Sequence, residues 1–336
     1  MIGLADSNAN LFTNAGLDRF FTASDGSGHR RVAHVYAWWD VALRPPDDPR
    51  RVALQTWLDR AACHGVEALV AFTPVPGAAL PVPAEYDRAF VAFRAAWPTV
   101  QAFTAWNEPN GPASWPDSAR TAADVYLRAR SHCRPEEGCV VAAGDMAATV
   151  AGNTAQFAMA SGPDAPCGTA ACSWLDRYKF SLDADGANYG LPHHRPEVWA
   201  VHTWADAFDY QRNGEHCGGA ARCVTRAFLA SLEGSWRRAE VWMTETGAVY
   251  EGPDDAARAR TQDCAGRFLQ RLFAIDPRIT RWYYYSFAGV GATGDSGACP
   301  FVSLDRGACT TSSGRATRAI FDTLRDRQTA ALPGCP

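Results

Sequence analysis

Lysine is nearly absent from this chain. Among 336 residues Lys179 is the only one, and arginine supplies almost all of the positive charge. The formal net charge is −4, so the sequence offers no basic surface of the kind that holds nucleic acid. Long apolar runs are missing too: nothing approaches the roughly 20 residues that span a bilayer. The 11 cysteines contain no C-x2-C pair, which removes the usual zinc and thioredoxin-like signatures. No internal repeat, low-complexity tract or Pro/Ser linker divides the chain. The first strand-like run leads into "LADSNANLF", which lacks the glycine fingerprint of a dinucleotide fold. A match to G-x-G-x-x-G, "GVGATG" at 289–294, follows the last strand-like run and precedes "DSGACP" rather than a helix, so it reads as a glycine loop. No metal and no organic cofactor is expected.

What is present suits a soluble protein with a sizeable core. Hydrophobic residues make up 47% of the chain, at a mean hydropathy of −0.23. Eight of the cysteines form close pairs: Cys133 with Cys139, Cys167 with Cys172, Cys217 with Cys223, and Cys299 with Cys309. Short loops pinched by local disulfides are what an oxidising compartment permits. Cys63, Cys264 and Cys335 are left over, so at least one thiol is expected to be free. No signal-peptide pattern precedes the first strand-like run, and the expected location is extracellular with a presequence already removed.

Eight apolar runs rich in β-branched and aromatic residues read as buried parallel strands. They cover 1–6, 31–39, 66–74, 100–108, 139–145, 196–204, 239–246 and 279–287. Helical patterns lie between them at 48–65, 85–97, 118–133, 223–236, 254–274 and 315–327, with a short and obscure one at 153–160. Eight alternating units in this length predict a (β/α)8 TIM barrel, a single domain over residues 1–336. The longest insertions, roughly 161–194, 205–222 and 288–313, are βα loops on the face where barrel active sites sit. Three of the four cysteine pairs fall within them, so disulfide-stapled loops are expected around the mouth.

Strand ends on that face supply the candidate residues: Asp6, Trp38, Trp39, Asp40, Glu108, Asp145, His202, Trp204, Glu245 and the aromatics from Tyr283 to Phe287. Trp38, Trp39 and Trp204 suit either a sugar platform or the core. Asp6, Asp40 and Asp145 suit either the site or a loop cap. Glu108 closes strand four in "TAWNEPNGP" and Glu245 closes strand seven in "VWMTETGA". Two carboxylates facing across a barrel mouth can act on one bond from opposite sides. Glycosidic cleavage needs that pair, one group to protonate the leaving oxygen and one to attack the anomeric carbon or activate water.

"WNEP" on strand four with "TETG" on strand seven resembles glycoside hydrolase clan A, a set of retaining (β/α)8 hydrolases that includes cellulases, mannanases, xylanases and β-glycosidases. "WNEPN" is most similar to family 39 and its relatives, the β-xylosidase and α-iduronidase group, which also includes bacterial exopolysaccharide endoglycosidases. The resemblance implies Glu108 as acid/base, Glu245 as nucleophile and Asn107 as a ligand of the sugar 2-hydroxyl. It implies a carbohydrate substrate. Many clan members carry a histidine on strand six and, two residues on, a tyrosine that touches the nucleophile. His202 fits, but Trp204 stands in the tyrosine's place, which leaves Tyr284 or Tyr285 of strand eight to orient Glu245. Phe287 stands near a position where many members keep a tryptophan platform. The strand-two arginine of some families is not evident, since Arg30 and Arg31 precede the apolar run. The expectation is a retaining, endo-acting glycoside hydrolase. An exo-acting β-glycosidase such as a β-xylosidase, and a catalytically silent glycan-binding barrel, are the alternatives.

Overall fold

The computed structural model describes residues 1–7, 9–12, 32–111, 114–147, 169, 172–191, 195–206, 223–247 and 275–285. Eight strands run β1 (Ile2–Ala5), β2 (Val32–Trp38), β3 (Glu67–Thr73), β4 (Ala102–Thr104), β5 (Val140–Met146), β6 (Val198–His202), β7 (Glu240–Thr246) and β8 (Ile279–Tyr285). Each pairs in parallel with the next, and β8 pairs with β1 to close the barrel. The expected (β/α)8 barrel is therefore present, with every expected strand in its place. β4 is shorter than its apolar run because the chain leaves the ladder after Thr104 to build the mouth.

Five α-helices lie among the described residues: α1 (Pro49–Cys63), α2 (Pro83–Ala96), α3 (Ser118–Ser131), α4 (Trp174–Asp185) and α5 (Val224–Ser231). α4 corrects the sequence reading, which assigned 161–194 to a loop. Its start is signalled by Ser173, whose hydroxyl accepts from the Asp176 N–H (3.1 Å), and Trp174, Leu175, Tyr178 and Leu182 are buried along one face. α5 stops at Ser231, earlier than the pattern implied, and a 3-10 turn follows at Gly234–Trp236. The expected helices at 153–160, 254–274 and 315–327, the glycine loop at 289–294, and Phe287 all lie outside the described residues.

Strand alternation sorts the side chains into two buried layers. Inside the barrel sit small residues such as Ala5, Ala102, Ala142 and Ala200 beside the large Trp242 and Tyr283. Gly3 belongs to this economy of space: a Cβ there would lie 2.5 Å from the Val32 carbonyl and 2.7 Å from the Tyr283 ring. Outside, strand residues meet the helices. Phe72 and Phe103 pack against Phe90 and Phe93 of α2, with centroids 5.1 Å (Phe72–Phe93) and 5.2 Å (Phe90–Phe103) apart. Each such fully buried aromatic contributes roughly 1.5–3 kcal/mol. At the barrel floor Arg281 pairs with Glu67 and lies over the Trp242 ring, so a buried cation there is matched.

Cys133 and Cys139 form a disulfide in the turn between α3 and β5, at the end of the barrel away from the βα loops. Cys172 and Cys223 are also disulfide-bonded, to partners outside the described residues. Cys299, Cys309, Cys264 and Cys335 lie outside them as well, and Cys63 is free and exposed. No helix of the described residues is long and apolar enough to cross a membrane.

Asp206, buried just past β6, caps α5 from outside the helix. Its carboxylate accepts from the N–H groups of Val224 and Thr225 (both 2.8 Å) and from the Thr225 hydroxyl. These are orphan donors of a helix start, and a carboxylate also suits the positive end of the helix dipole. Asp206→Ala is expected to lower stability by roughly 2 kcal/mol, seen as a lower urea midpoint at unchanged slope. A midpoint equal to the parent's would show that the cap is dispensable.

Candidate active site

The backbone leaving β4 is tied to both neighbouring strands. Asn107 donates its N–H to the Phe72 carbonyl (2.8 Å) and Glu108 donates to the Asp145 carbonyl (3.0 Å). Trp106 is buried against Trp115, centroids 4.5 Å apart, which anchors the turn to the barrel wall. Glu108 itself has φ +49°, in the left-handed region. Gly111 donates to the Glu108 carbonyl (2.9 Å) and closes the turn.

Two bulges complete the mouth. The β5–β6 register shifts between Gly144 and Met146, leaving Asp145 unpaired at φ +54° behind Gly144 at φ +91°. The β6–β7 pairing runs Val201 to Met243 and then His202 to Glu245, so Thr244 is skipped. A bulge of this kind turns consecutive side chains to one face, and both Thr244 and Glu245 meet polar groups inside the barrel. Non-glycine residues at positive φ cost roughly 1 kcal/mol or more each. Here they aim two carboxyl groups.

His202 is the centre of the cluster and is fully buried. Its Nδ1 lies 3.0 Å from Glu108 Oε1. Its Nε2 lies 3.3 Å from Asp145 Oδ1 and 3.5 Å from Glu245 Oε1, shared between two charges and well aligned with neither. Single donor or acceptor atoms of Glu108, His202 and Glu245 all fall within 4.8 Å of one another. Glu245 is held from both sides: the Tyr36 hydroxyl donates to Oε1 (2.7 Å) and the Trp204 indole N–H donates to Oε2 (3.1 Å). Its side chain is 10% exposed, against 38% for Glu108. Beneath them Asp145 accepts from the Thr104 hydroxyl (2.8 Å) and from the Thr244 hydroxyl.

The charges follow from this geometry. Burial works to neutralise His202, but the carboxylates of Glu245, Asp145 and Glu108 outweigh it and hold the ring well above its ordinary pKa. Burial likewise pushes Asp145 up, and the His202 charge with the Thr244 hydroxyl brings it below the usual carboxylate value. For Glu245 burial prevails over His202 and, with the nearby Glu108 charge, raises its pKa.

The structure brings together Glu108, Glu245, His202 and Trp204 among the expected site residues. Tyr285 joins them, its ring edge-on to Tyr36 (5.7 Å) and Trp204 (5.6 Å). Asp6 is buried at the end of β1, where its charge contributes, after burial and Glu245, to a raised Tyr285 pKa. Asn107 borders the site with a buried Oδ1 that meets no hydrogen-bond donor among the described residues. Tyr284 is a correction: it lies in the buried layer between barrel and helices, because alternation along β8 sends Tyr283 and Tyr285 inward instead. Trp38 carries the Arg50 guanidinium 3.3 Å from its ring centroid and that of Arg44 at 5.1 Å, so arginine already occupies ring surface that a sugar would use. Asp40 is paired with Arg44 (2.7 Å), and Trp39 packs partly buried against the outer core. Tyr36, Thr104 and Thr244 were missed. For Tyr36 the signal was present in "HVYAW", where His34, Tyr36 and Trp38 alternate onto one face.

No protein-family profile matches the chain, and no curated protein matches it in sequence. Solved structures do match. A monomeric β-xylosidase from Caulobacter crescentus CB15 aligns at TM-score 0.59 and 12% identity, over 95% of this chain and 66% of that one. A family 39 glycoside hydrolase from Bacteroides cellulosilyticus WH2 aligns at 0.53 and 15%, over 97% and 64%. A fungal β-1,4-galactanase aligns at 0.56 and 12%, over 95% and 98%. The chain thus spans just under two thirds of the first two proteins and nearly all of the third. At such identities the likeness is one of fold, and it agrees with the clan A resemblance carried by "WNEP" and "TETG".

Below the cluster, His34 is fully buried with Nδ1 3.0 Å from the Thr244 carbonyl. Burial lowers its pKa from 6.5 to about 4. Unfolding frees the ring to take a proton, so this site leaves stability intact above about pH 6.5 and erodes it as pH falls toward 4, by roughly 3 kcal/mol in all. The stability difference between parent and His34→Gln is expected to shrink by that amount from pH 7 to pH 4 in urea titrations. Parallel pH profiles for the two proteins would refute the assignment.

Proposed function

We propose that this chain is a retaining glycoside hydrolase in which Glu245 is the nucleophile and Glu108 the acid/base. The observation that carries the reading is the spacing: oxygens of the two glutamates lie within 4.8 Å. Retaining enzymes place their carboxyl groups roughly 5–5.5 Å apart, whereas inverting enzymes need roughly 6.5–9.5 Å to seat a water. The roles follow from the surroundings. Glu245 is enclosed, and both of its oxygens receive hydrogen bonds from neutral donors, which stabilises and aims an anion. Glu108 is the more exposed group, as an acid/base must be to reach both a leaving oxygen and a water.

In the first step a Glu245 oxygen attacks the anomeric carbon. The glycosidic C–O bond breaks, and the leaving oxygen takes the proton from Glu108. In the second step Glu108, now a carboxylate, takes a proton from water as that water's oxygen attacks the same carbon and releases Glu245. Asn107, next to Glu108 in the turn that leaves β4, is the residue we assign to a sugar hydroxyl, as the clan A resemblance implies. The substrate is a glycan cleaved internally, a reading supported by the long stretches of sequence inserted after strands five, six and eight. The likeness to a β-xylosidase favours exo-action as the second reading. Early products separate them: mixed oligosaccharides from a polymer for endo-action, monosaccharide alone for exo-action. The disulfides at Cys133–Cys139, Cys172 and Cys223 support an extracellular location.

Glu108→Ala and Glu245→Ala are each expected to lose at least about a thousandfold in rate on a glycan that the parent cleaves. Azide is expected to restore turnover in one of the two. Full activity in either variant would end the proposal. Tyr36→Phe is expected to lower kcat about tenfold to a hundredfold with little change in KM, because the donor matters most as charge moves off Glu245. An unchanged kcat would remove Tyr36 from the mechanism.

A further inference from the structure

Among the buried charges with no part in the two steps above, Asp145 lies nearest the two glutamates, 3.3 Å from the His202 ring. Asp145 is fully buried and occupies a left-handed bulge position. Its two oxygens accept from threonine hydroxyls on opposite sides, Thr104 from β4 and Thr244 from β7. Those bonds fix the carboxylate 3.3 Å from His202 Nε2, while His202 Nδ1 faces Glu108 Oε1 at 3.0 Å. An imidazole between two carboxyl groups has two states of different consequence. With both nitrogens protonated, Nδ1–H donates to Glu108 Oε1, and the Glu108 proton must sit on Oε2. With Nδ1 bare, it accepts instead, and the Glu108 proton is drawn inward onto Oε1, away from any leaving group.

We propose that Asp145 is a positioning residue that keeps both ring nitrogens of His202 protonated and thereby places the transferable proton of Glu108 on Oε2. The idea rests on the glycosidase reading for its consequence but not for its geometry. Among the described residues the charged or titratable groups facing His202 are Glu108 after β4, Asp145 on β5, Glu245 on β7 and His34 on β2. His34 is kept neutral by burial. Glu245 becomes an uncharged ester during turnover, so Asp145 is the one buried anion at the ring whose charge persists through both steps. The raised His202 pKa agrees with this arrangement.

Two readouts test it on the full chain. The first is nitrogen-15 NMR of histidine-labelled protein, with the His202 ring assigned from its loss in His202→Gln. The parent ring is expected to show two protonated nitrogens at neutral pH. In Asp145→Asn its titration midpoint is expected to fall by about one pH unit or more. The second readout is leaving-group dependence. Asp145→Asn is expected to lose roughly 100-fold in kcat/KM on an alkyl glycoside, whose departure needs the acid, and under about tenfold on the dinitrophenyl glycoside of the same sugar, whose departure does not. A neutral His202 in the parent, an unshifted ring in the variant, or equal losses on both substrates would overturn the proposal. If the parent cleaves no glycoside, the functional reading fails, while the ring spectra still decide whether Asp145 governs His202. Should Asp145→Asn not fold, Thr104→Val loosens Asp145 without removing its charge, and the same two shifts are expected at smaller size; their absence would count equally against the idea.

Discussion

A single histidine ring among three carboxylates organises the mouth of this barrel. His202 reaches Glu108 with one nitrogen and both Asp145 and Glu245 with the other. Burying any one of these charges alone would cost several kcal/mol. Together they are tolerable, because each carboxylate lies beside the His202 ring, whose pKa they raise, and Asp145 also receives two hydroxyl donors. The neighbouring structure serves that arrangement. Thr104 and Thr244 turn inward to hold Asp145, Tyr36 and Trp204 take the remaining bonds to Glu245, and the small alanines lower in the barrel leave room for the large rings around them.

The arrangement demands irregular backbone. Regular parallel strands would not present Thr244 and Glu245 on the same face, nor send Asp145 inward beside its neighbours. The bulges in β5 and β7 and the left-handed turn at Glu108 supply those directions. Their strain is offset by hydrogen bonds that fix the same residues to adjacent strands, among them Glu108 N–H to Asp145 and Thr203 N–H to Glu245 (2.9 Å). Strain concentrated at the C-terminal ends of strands, where the candidate chemistry sits, is the pattern expected when geometry is held for function.

The tryptophan on strand six shows how one task can move between residues. Trp204 donates to Glu245 itself, and the tyrosine that shares the work comes from strand two rather than strand eight. Tyr284 was a reasonable candidate from its sequence position, but strand parity turns it away from the site. A period of two decides such a question absolutely: one residue along a strand is the other face. The reading of 161–194 as loop erred for a different reason. α4 is short and sits among turn-like residues that hide its capping serine and its apolar face.

The sequence by itself determined the barrel and marked the two glutamates and the histidine as candidates at strand ends. Apolar runs at regular spacing commit the chain to parallel strands under helices, and chain order in such a barrel assigns strand ends to one face. Those are local patterns joined by one topological rule. Only the tertiary structure decided that Tyr36 and Trp204 clasp Glu245, that Asp145 lies beneath His202, and that Trp38 is already stacked by arginine. The physical reason is that register shifts, bulges and cross-strand contacts depend on residues scores of positions apart, such as Thr104 with Asp145 and Tyr36 with Glu245. No periodicity along the chain encodes which of them meet.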